Sequence, residues 1–272
     1  MFVMTVFIPA DAKKYRTLIE GISKVTSEGR IILQKPPTKS PKVVFKSANM
    51  DGSHIILVYL ELWQEFFSKF ECDEKEVQIG LNFDDLTKIQ KIAKSDDEMS
   101  FEYVAAEKKI VMSLKKEGAS KSRKNSLKCI DIDVEELDME SVLKTEYKNI
   151  IMIPTAKLED AIKNAEIFSE VIEFATKNSS IVFQAEGNIG DMDYELDDAD
   201  YLNNIKTIDP TDSSCAFAIQ MLKSVINTDY SANCKISFSP ENPIRLDYEF
   251  DHGKMIFYVA PRVEEDADNQ DE

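Results

Sequence analysis

The sequence predicts an α+β fold made of two similar halves, each a mostly antiparallel sheet carrying two helices. Three observations predict it. The first is a weak internal duplication: Ile8–Ile22 reads IPADAKKYRTLIEGI and Ile153–Ile167 reads IPTAKLEDAIKNAEI. Both follow a β-like stretch, open with Ile-Pro, and run into a helical pattern that ends on Ile at the same position. The second is another helix pair further along, Phe83–Lys94 and Phe217–Ile226, each followed by two alternating runs around a short polar turn. The third is the remainder, which alternates with the period of two expected of strands.

Each element follows from local chemistry. Proline suits the entry to a helix and would break its interior. Leu86, Ile89 and Ile92 recur at three-residue steps, and Leu222, Val225 and Ile226 share one face, so both segments read as amphipathic helices of about three turns. FEYVAAEKKIVMSL at 101–114 and CKISFSPENPIRLDYEF at 234–250 have hairpin signatures. VVFKSA, SHIILVYLEL, FSKFECD, VQIGLNF, SIVFQAE and MDYEL read as further strands. Strands punctuated by lone helices imply helices packed on one face of the sheet. The opening MFVMTVFIPADAKK lacks a basic flank and a cleavage-like site, and reads as a strand rather than a signal peptide. Residues 127–147, LKCIDIDVEELDMESVLKTEY, are acidic and read as largely extended. The basic KKEGASKSRKNS at 115–126 fits a solvated loop and strand edge, or a nuclear-import signal.

Composition excludes several classes. No apolar run approaches the ~20 residues of a membrane helix, so no membrane partner is expected. Cys72, Cys129, Cys215 and Cys234 show no C-x-x-C spacing and read as free thiols in a reducing compartment. The net charge of −17 argues against an ordinary nucleic-acid binder. It leaves room for a locally basic surface, because exposed charges are screened beyond ~8 Å at physiological salt. A rival class is a metal-dependent nuclease using Asp131 and Asp133, or Asp197, Asp198 and Asp200. Neither cluster comes with the His, Lys or Gly-rich loop that phosphoryl chemistry recruits, and no nucleophile elbow, P-loop or zinc spacing is present. No catalytic residue, metal site or cofactor is therefore expected.

Four segments, in order, resemble the proliferating cell nuclear antigen (PCNA) family of DNA sliding clamps. They are Met50–Leu62 (MDGSHIILVYLEL), Phe70–Ala93 (FECDEKEVQIGLNFDDLTKIQKIA), Lys128–Leu137 (KCIDIDVEEL) and Tyr258–Glu265 (YVAPRVEE). The resemblance is poor over 30–48, where QKPPTKSPKV looks like an insertion, and over 186–215. It implies clamp domains at 1–127 and 148–264, an interdomain connector at 128–147 and a flexible acidic tail at 265–272. Three chains would close head to tail into a ring, with antiparallel sheets outside and the helices lining the hole. Such a ring is a processivity factor and not an enzyme. A specialised paralogue, or one subunit of a heterotrimeric clamp, is the alternative.

A clamp must attract phosphates without gripping bases, since duplex DNA carries one charge per ~1.7 Å of axis and the ring must slide. The expected DNA-facing residues are Lys13, Lys14, Arg16, Lys88, Lys91, Lys94 and Lys163. Lys88, Lys91 and Lys94 are spaced to share a helical face. Other basic positions of the family fall on Asp160, Gln220 and Asn227. The helical stretch at 11–25 carries a net +2, that at 83–95 +1, that at 156–170 −2 and that at 213–229 zero. DNA-facing charge is therefore expected mainly in the first half. The same lysines also fit the plain solvated faces of amphipathic helices.

The family pairs edge strands that map to 121–128 and 186–196. Lys121, Arg123, Lys124 and Lys128 would meet Glu186, Asp191, Asp193 and Glu195, opposite charge selecting partner and register. Clients of the family insert a short peptide with paired aromatics into a pocket. Its walls map to Met50, His54, Ile55, Leu57, Leu137, Met139, Pro243, Tyr258, Ala260 and Pro261. Ile55 and Leu57 also fit plain core packing, and His54 a hydrogen-bonding role. The implied partners are double-stranded DNA, further copies of the chain, DNA polymerase, clamp loader, ligase and flap nuclease. The implied location is the nucleus in a eukaryote and the cytoplasm in an archaeon. The family's main ubiquitin-acceptor position falls on Asn178, beside Lys177, which puts that regulation in doubt.

Overall fold

In a computed structural model, the described residues are 5–116, 118–132, 137–177, 180–209, 211, 213–240 and 242–262. The first half contains β1 (Thr5–Pro9), α1 (Ala12–Ser23), β2 (Glu28–Gln34), β3 (Val43–Met50), β4 (Ile56–Trp63), β5 (Phe67–Cys72) and β6 (Glu76–Asn82). It continues with α2 (Phe83–Gln90), β7 (Asp97–Val104), β8 (Lys109–Lys116), β9 (Arg123–Lys128) and the short α3 (Met139–Leu143). The second half contains β10 (Asn149–Pro154), α4 (Thr155–Phe168), β11 (Val171–Lys177), β12 (Ser180–Gly187), β13 (Gly190–Glu195) and β14 (Lys206–Thr207). It ends with β15 (Ser214–Ala218), α5 (Ile219–Val225), β16 (Asn233–Phe238), β17 (Ile244–Phe250) and β18 (Gly253–Val259). The predicted duplication is visible in this order: a strand leads into the long helix α1 or α4, and a later strand leads into the short helix α2 or α5.

The chain divides into two units. One comprises Met1–Thr145, Asp229–Ser231 and Asp247–Phe257; the other comprises Glu146–Thr228, Ala232–Leu246 and Tyr258–Glu272. In the first, a five-stranded sheet runs β5-β1-β7-β8-β9, and β6, β2, β3 and β4 are hydrogen-bonded neighbours in a second sheet. In the other, a four-stranded sheet runs β13-β12-β11-β15, and β14, β10 and β16 are neighbours. Among the described residues no helix is long and apolar enough to cross a membrane.

α1, α2 and α4 form where the sequence supplies a start and a buried stripe. Asp11 caps α1 by accepting from the Lys14 amide at 2.9 Å, and Tyr15, Leu18, Ile19 and Ile22 are buried at helical spacing. Asn82 caps α2 by accepting from the Asp85 amide at 2.9 Å. Leu158, Ala161, Ile162 and Ala165 form the stripe of α4. Aromatic side chains fill both cores. Phe7 stacks on Phe101 with centroids 4.9 Å apart, and Phe174 meets Phe183 edge-on at 4.8 Å.

Four expectations are corrected. The helix expected over Phe83–Lys94 ends at Gln90. Two tight turns follow, the Asp97 carboxylate accepts from the Lys94 amide at 2.8 Å, and Ile92 is left 50% exposed rather than buried. The helix expected from Phe217 begins at Ile219, because Phe217 pairs with Ile172 in the β15–β11 ladder. The segment at 127–147, expected largely extended, is interrupted by α3, which Asp138 caps by accepting from the Ser141 amide at 3.2 Å. The strand expected from Ser53 starts at Ile56. Asp51 folds the preceding residues into a turn, accepting from the amides of Ser53, Ile55 and Ile56 at 3.0, 2.7 and 2.5 Å.

Candidate functional site

The basic candidates of the first unit sit on α1, on α2 and in the turn after α2. Lys13 is exposed, and so is Lys94; neither has a carboxylate partner among the described residues. Lys88 pairs with Asp85 at 2.9 Å, which raises its pKa. Lys91 crosses from α2 to Glu20 of α1 at 3.0 Å. Arg16 donates to the carbonyl of Ala93 at 3.5 Å. The expected shared face of Lys88, Lys91 and Lys94 is corrected: Lys91 is the C-cap of α2 and Lys94 lies beyond it.

Lys14 is held differently from its neighbours. Its ammonium donates to the carbonyls of Asp229 and Tyr230 at 2.8 and 2.5 Å and lies 4.7 Å above the Phe250 ring. All of these groups belong to the first unit. Burial lowers the Lys14 pKa, against the opposing pull of Asp11, Asp229 and Asp251. Among the expected DNA-facing lysines, this one is already occupied as a strap.

In the second unit, Lys163 is exposed on α4 and lies 3.5 Å from Glu159. Asp160 and Gln220 are exposed and Asn227 is half-buried. The lower positive charge read from the sequence of α4 and α5 is therefore a property of their surfaces.

The two expected pairing segments both supply terminal strands. β9 ends the five-stranded sheet and β13 ends the four-stranded one. Lys124 and Lys128 are exposed on β9, whereas Arg123 turns back to the buried carboxylate of Asp97. Lys121 lies just before the strand. Asp191, Asp193 and Glu195 are exposed on β13, and Asp193 accepts from Gln184. Glu186 is corrected to the neighbouring strand β12, opposite Asp191.

Sequence reasoning missed three large apolar side chains on these same surfaces. Ile92 follows α2, Ile167 closes α4, and Ile189 tips the β12–β13 turn; they are 50%, 62% and 72% exposed. Ile189 was detectable as a bulky apolar residue between Asn188 and Gly190, where a turn needs none.

The expected docking residues divide between the units. In the first, Met50 ends β3, His54 is exposed with a φ of 59°, Ile55 is half-buried, and Leu57 is buried on β4. Leu137 and Met139, at the start of α3, are half-buried. In the second, Pro243 is exposed, Tyr258 is buried under the Arg245 guanidinium at 5.7 Å, and Ala260 and Pro261 follow β18.

The acidic clusters weighed for metal chemistry are engaged elsewhere. Asp197 and Asp200 form a reciprocal cap, Asp198 pairs with Lys206 at 2.8 Å, and Asp131 pairs with Lys108 at 2.8 Å. Among the described residues no group of three or more His, Cys, Asp or Glu is placed to hold a metal. Asp133, Asn178 and the acidic tail at 265–272 lie outside the described residues.

Two units of like order, with a matched helix pair α1 and α2 or α4 and α5 and a sheet that ends in a charged strand, define a duplicated α+β chain. The family model for the proliferating cell nuclear antigen N-terminal domain matches residues 39–137, and that for the C-terminal domain matches 141–263. The chain belongs to the proliferating cell nuclear antigen family. It is 28% identical over 218 residues to proliferating cell nuclear antigen 2 of Drosophila melanogaster, covering 79% of this chain and 83% of that one. It is 28% identical over 257 residues to the DNA polymerase sliding clamp of Methanothermobacter thermautotrophicus, covering 93% and 96%. The corresponding protein of Thermococcus gammatolerans is 30% identical over 220 residues, covering 79% and 84%. The crystal structure of proliferating cellular nuclear antigen from Entamoeba histolytica superposes with a TM-score of 0.81 at 17% identity, covering 97% of this chain and all of the other. That likeness speaks for the fold.

Proposed function

We propose that this chain is one subunit of a DNA sliding clamp, a processivity factor that encircles duplex DNA and tethers DNA polymerase without catalysing a reaction. One observation carries the reading beyond family membership. The two like units end in sheet edges of opposite charge, β9 basic and β13 acidic. Two different complementary edges on one chain suit a head-to-tail contact, which closes into a ring when the rotation allows. α2, which Ile92 follows, packs against β9; Ile189 precedes β13, and α4, which carries Ile167, packs against β13. Each edge thus couples charge for register with apolar surface for affinity. Three copies are proposed, as the family resemblance implies.

Retention by enclosure needs only weak attraction to phosphate. Lys13, Arg16, Lys88, Lys91, Lys94 and Lys163 are proposed to face the DNA, with Lys14 supporting them from within. Client peptides are proposed to dock on Met50, His54, Ile55, Leu57, Leu137 and Met139 of the first unit and on Pro243, Tyr258, Ala260 and Pro261 of the second. Clamp loader, ligase and flap nuclease are the proposed further clients. The site of action follows the genome: nucleus in a eukaryote, cytoplasm in an archaeon.

Light scattering at rising salt tests ring closure. A trimer mass that falls as salt rises is expected; a monomer at low salt, or a trimer indifferent to salt, refutes the charged-edge reading. Reversing Lys88 and Lys91 to Glu tests the DNA face. Polymerase stimulation on primed circular DNA should fall, and unchanged stimulation removes those residues from it.

A further inference from the structure

We propose that Ser126 is a phosphorylation site for a basic-directed protein kinase, and that its phosphate weakens ring closure. This rests on the reading of β9 as a ring-closing edge. Arg123-Lys124-Asn125-Ser126 places cationic side chains three and two residues before a serine, with Lys121 further upstream. A kinase that selects substrates by carboxylates lining its peptide groove recognises this spacing of charge.

The location makes the serine reachable before the ring closes. Ser126 is exposed, and no residue of β9 is buried. The strand ends its sheet, held by the ladder to β8 and by the ion pair of Arg123 with the buried Asp97 carboxylate. Releasing it for a kinase uncovers no buried side chain of its own, but it breaks the Arg123–Asp97 pair. Phosphorylation would form a bond from the Ser126 Oγ to the γ-phosphorus of a nucleoside triphosphate and break the bond to the β-phosphate oxygen. The hydroxyl proton passes to the kinase's base and the nucleoside diphosphate leaves.

The register explains the consequence. Side chains alternate across a strand, so Lys124, Ser126 and Lys128 share one face. Opposite them on β8 lie Ser113, Val111 and Lys109. Lys109 already pairs with Glu107 at 2.6 Å. Asn125 and Leu127 share the other face with buried Met112 and Ile110. A phosphate on Ser126 therefore stands between the two lysines that give β9 its exposed positive charge. It carries about −1.5 to −2 at neutral pH, enough to cancel both. The acidic edge of β13, with Asp191, Asp193 and Glu195, then meets a neutral or negative strand.

The full chain, incubated with a basic-directed kinase and ATP, should gain one phosphoryl group that peptide mapping places on Ser126. S126A should lose that modification. The phosphorylated chain and S126E should dissociate from trimer at about tenfold higher protein concentration than wild type, the scale of losing one or two exposed ion pairs. S126Q, which has the length of Glu without the charge, should assemble like wild type. Modification only at other serines, an unshifted midpoint in the phosphorylated chain, or S126Q as disruptive as S126E would each overturn the proposal. Wild type that is monomeric at every concentration would instead overturn the ring reading beneath it.

Discussion

Replacing Lys14 with Met separates a structural lysine from a DNA-facing one. The substitution keeps most of the aliphatic stem and removes the ammonium that bridges the carbonyls of Asp229 and Tyr230. A hydrogen bond from a charged donor contributes about 1.5–3 kcal/mol when well shielded, and a cation over an aromatic ring about 0.5–1 kcal/mol. Lys14 is only half-buried, and removing it also relieves the desolvation that lowers its pKa. These offsets leave about 2 kcal/mol, the value of roughly one shielded contact. For a unit of this size that corresponds to about 4–8 °C in Tm. Thermal and urea unfolding of Lys14→Met, beside Lys13→Met as an exposed control, measures it. The expected result is a clear loss at Lys14 and almost none at Lys13. A Tm unchanged at both positions would refute the strap and return Lys14 to the DNA-facing set.

Three further outcomes follow from close approaches and from one carboxylate. A Cβ on Gly187 would lie 1.7 Å from the Phe168 carbonyl oxygen; Gly187→Ala should push the β12–β13 hairpin off α4 and reduce trimer mass in light scattering. A Cβ on Gly80 would lie 2.2 Å from the Ile130 carbonyl oxygen, where the Ile130 amide bonds Gly80 at 3.0 Å. Gly80→Ala should speed hydrogen exchange at Ile130 by about tenfold or more, the scale of ordinary overpacking; unchanged protection would contradict it. Asp209 accepts from the Thr211 hydroxyl and amide and lies near Lys148, which lowers its pKa from 3.8 to about 2. The unfolded chain then binds more protons in that interval, so stability falls as pH drops from about 5 towards 2. Asp209→Asn should flatten this limb in acid titrations followed by circular dichroism.

The fold was legible where one local signal dominated. Ile-Pro at the start of two matched helical patterns located α1 and α4, and alternation located most strands. Element ends were legible only where their partners were local. Nothing adjacent to Phe217 says that Ile172 claims it for a sheet, and nothing adjacent to Lys94 says that the Asp97 carboxylate captures its amide. The candidate site followed the same rule. The basic and acidic pairing segments were readable as runs of charge. The strap at Lys14 was not, because its acceptors are backbone carbonyls more than two hundred residues away, and every residue type carries a carbonyl.

On the proposed DNA-facing assignment, the lysines that stay available account for how an acidic chain would hold DNA loosely. Lys88 and Lys91 are paired with Asp85 and Glu20, yet both lysines remain largely exposed and both carboxylates about half exposed. Such pairs contribute only about 0–1 kcal/mol, so phosphate can compete for the lysines while the carboxylates keep the net attraction small. Each lysine that does meet phosphate adds about 0.9 to the slope of log affinity against log salt. Lys88→Gln/Lys91→Gln should therefore lower that slope on short duplex DNA by up to about 2, whereas Lys14→Met should leave it unchanged. An unaltered slope in the double variant would place the phosphates elsewhere on the chain, and a reduced slope in Lys14→Met would mean that the carbonyls of Asp229 and Tyr230 give up the ammonium when DNA arrives.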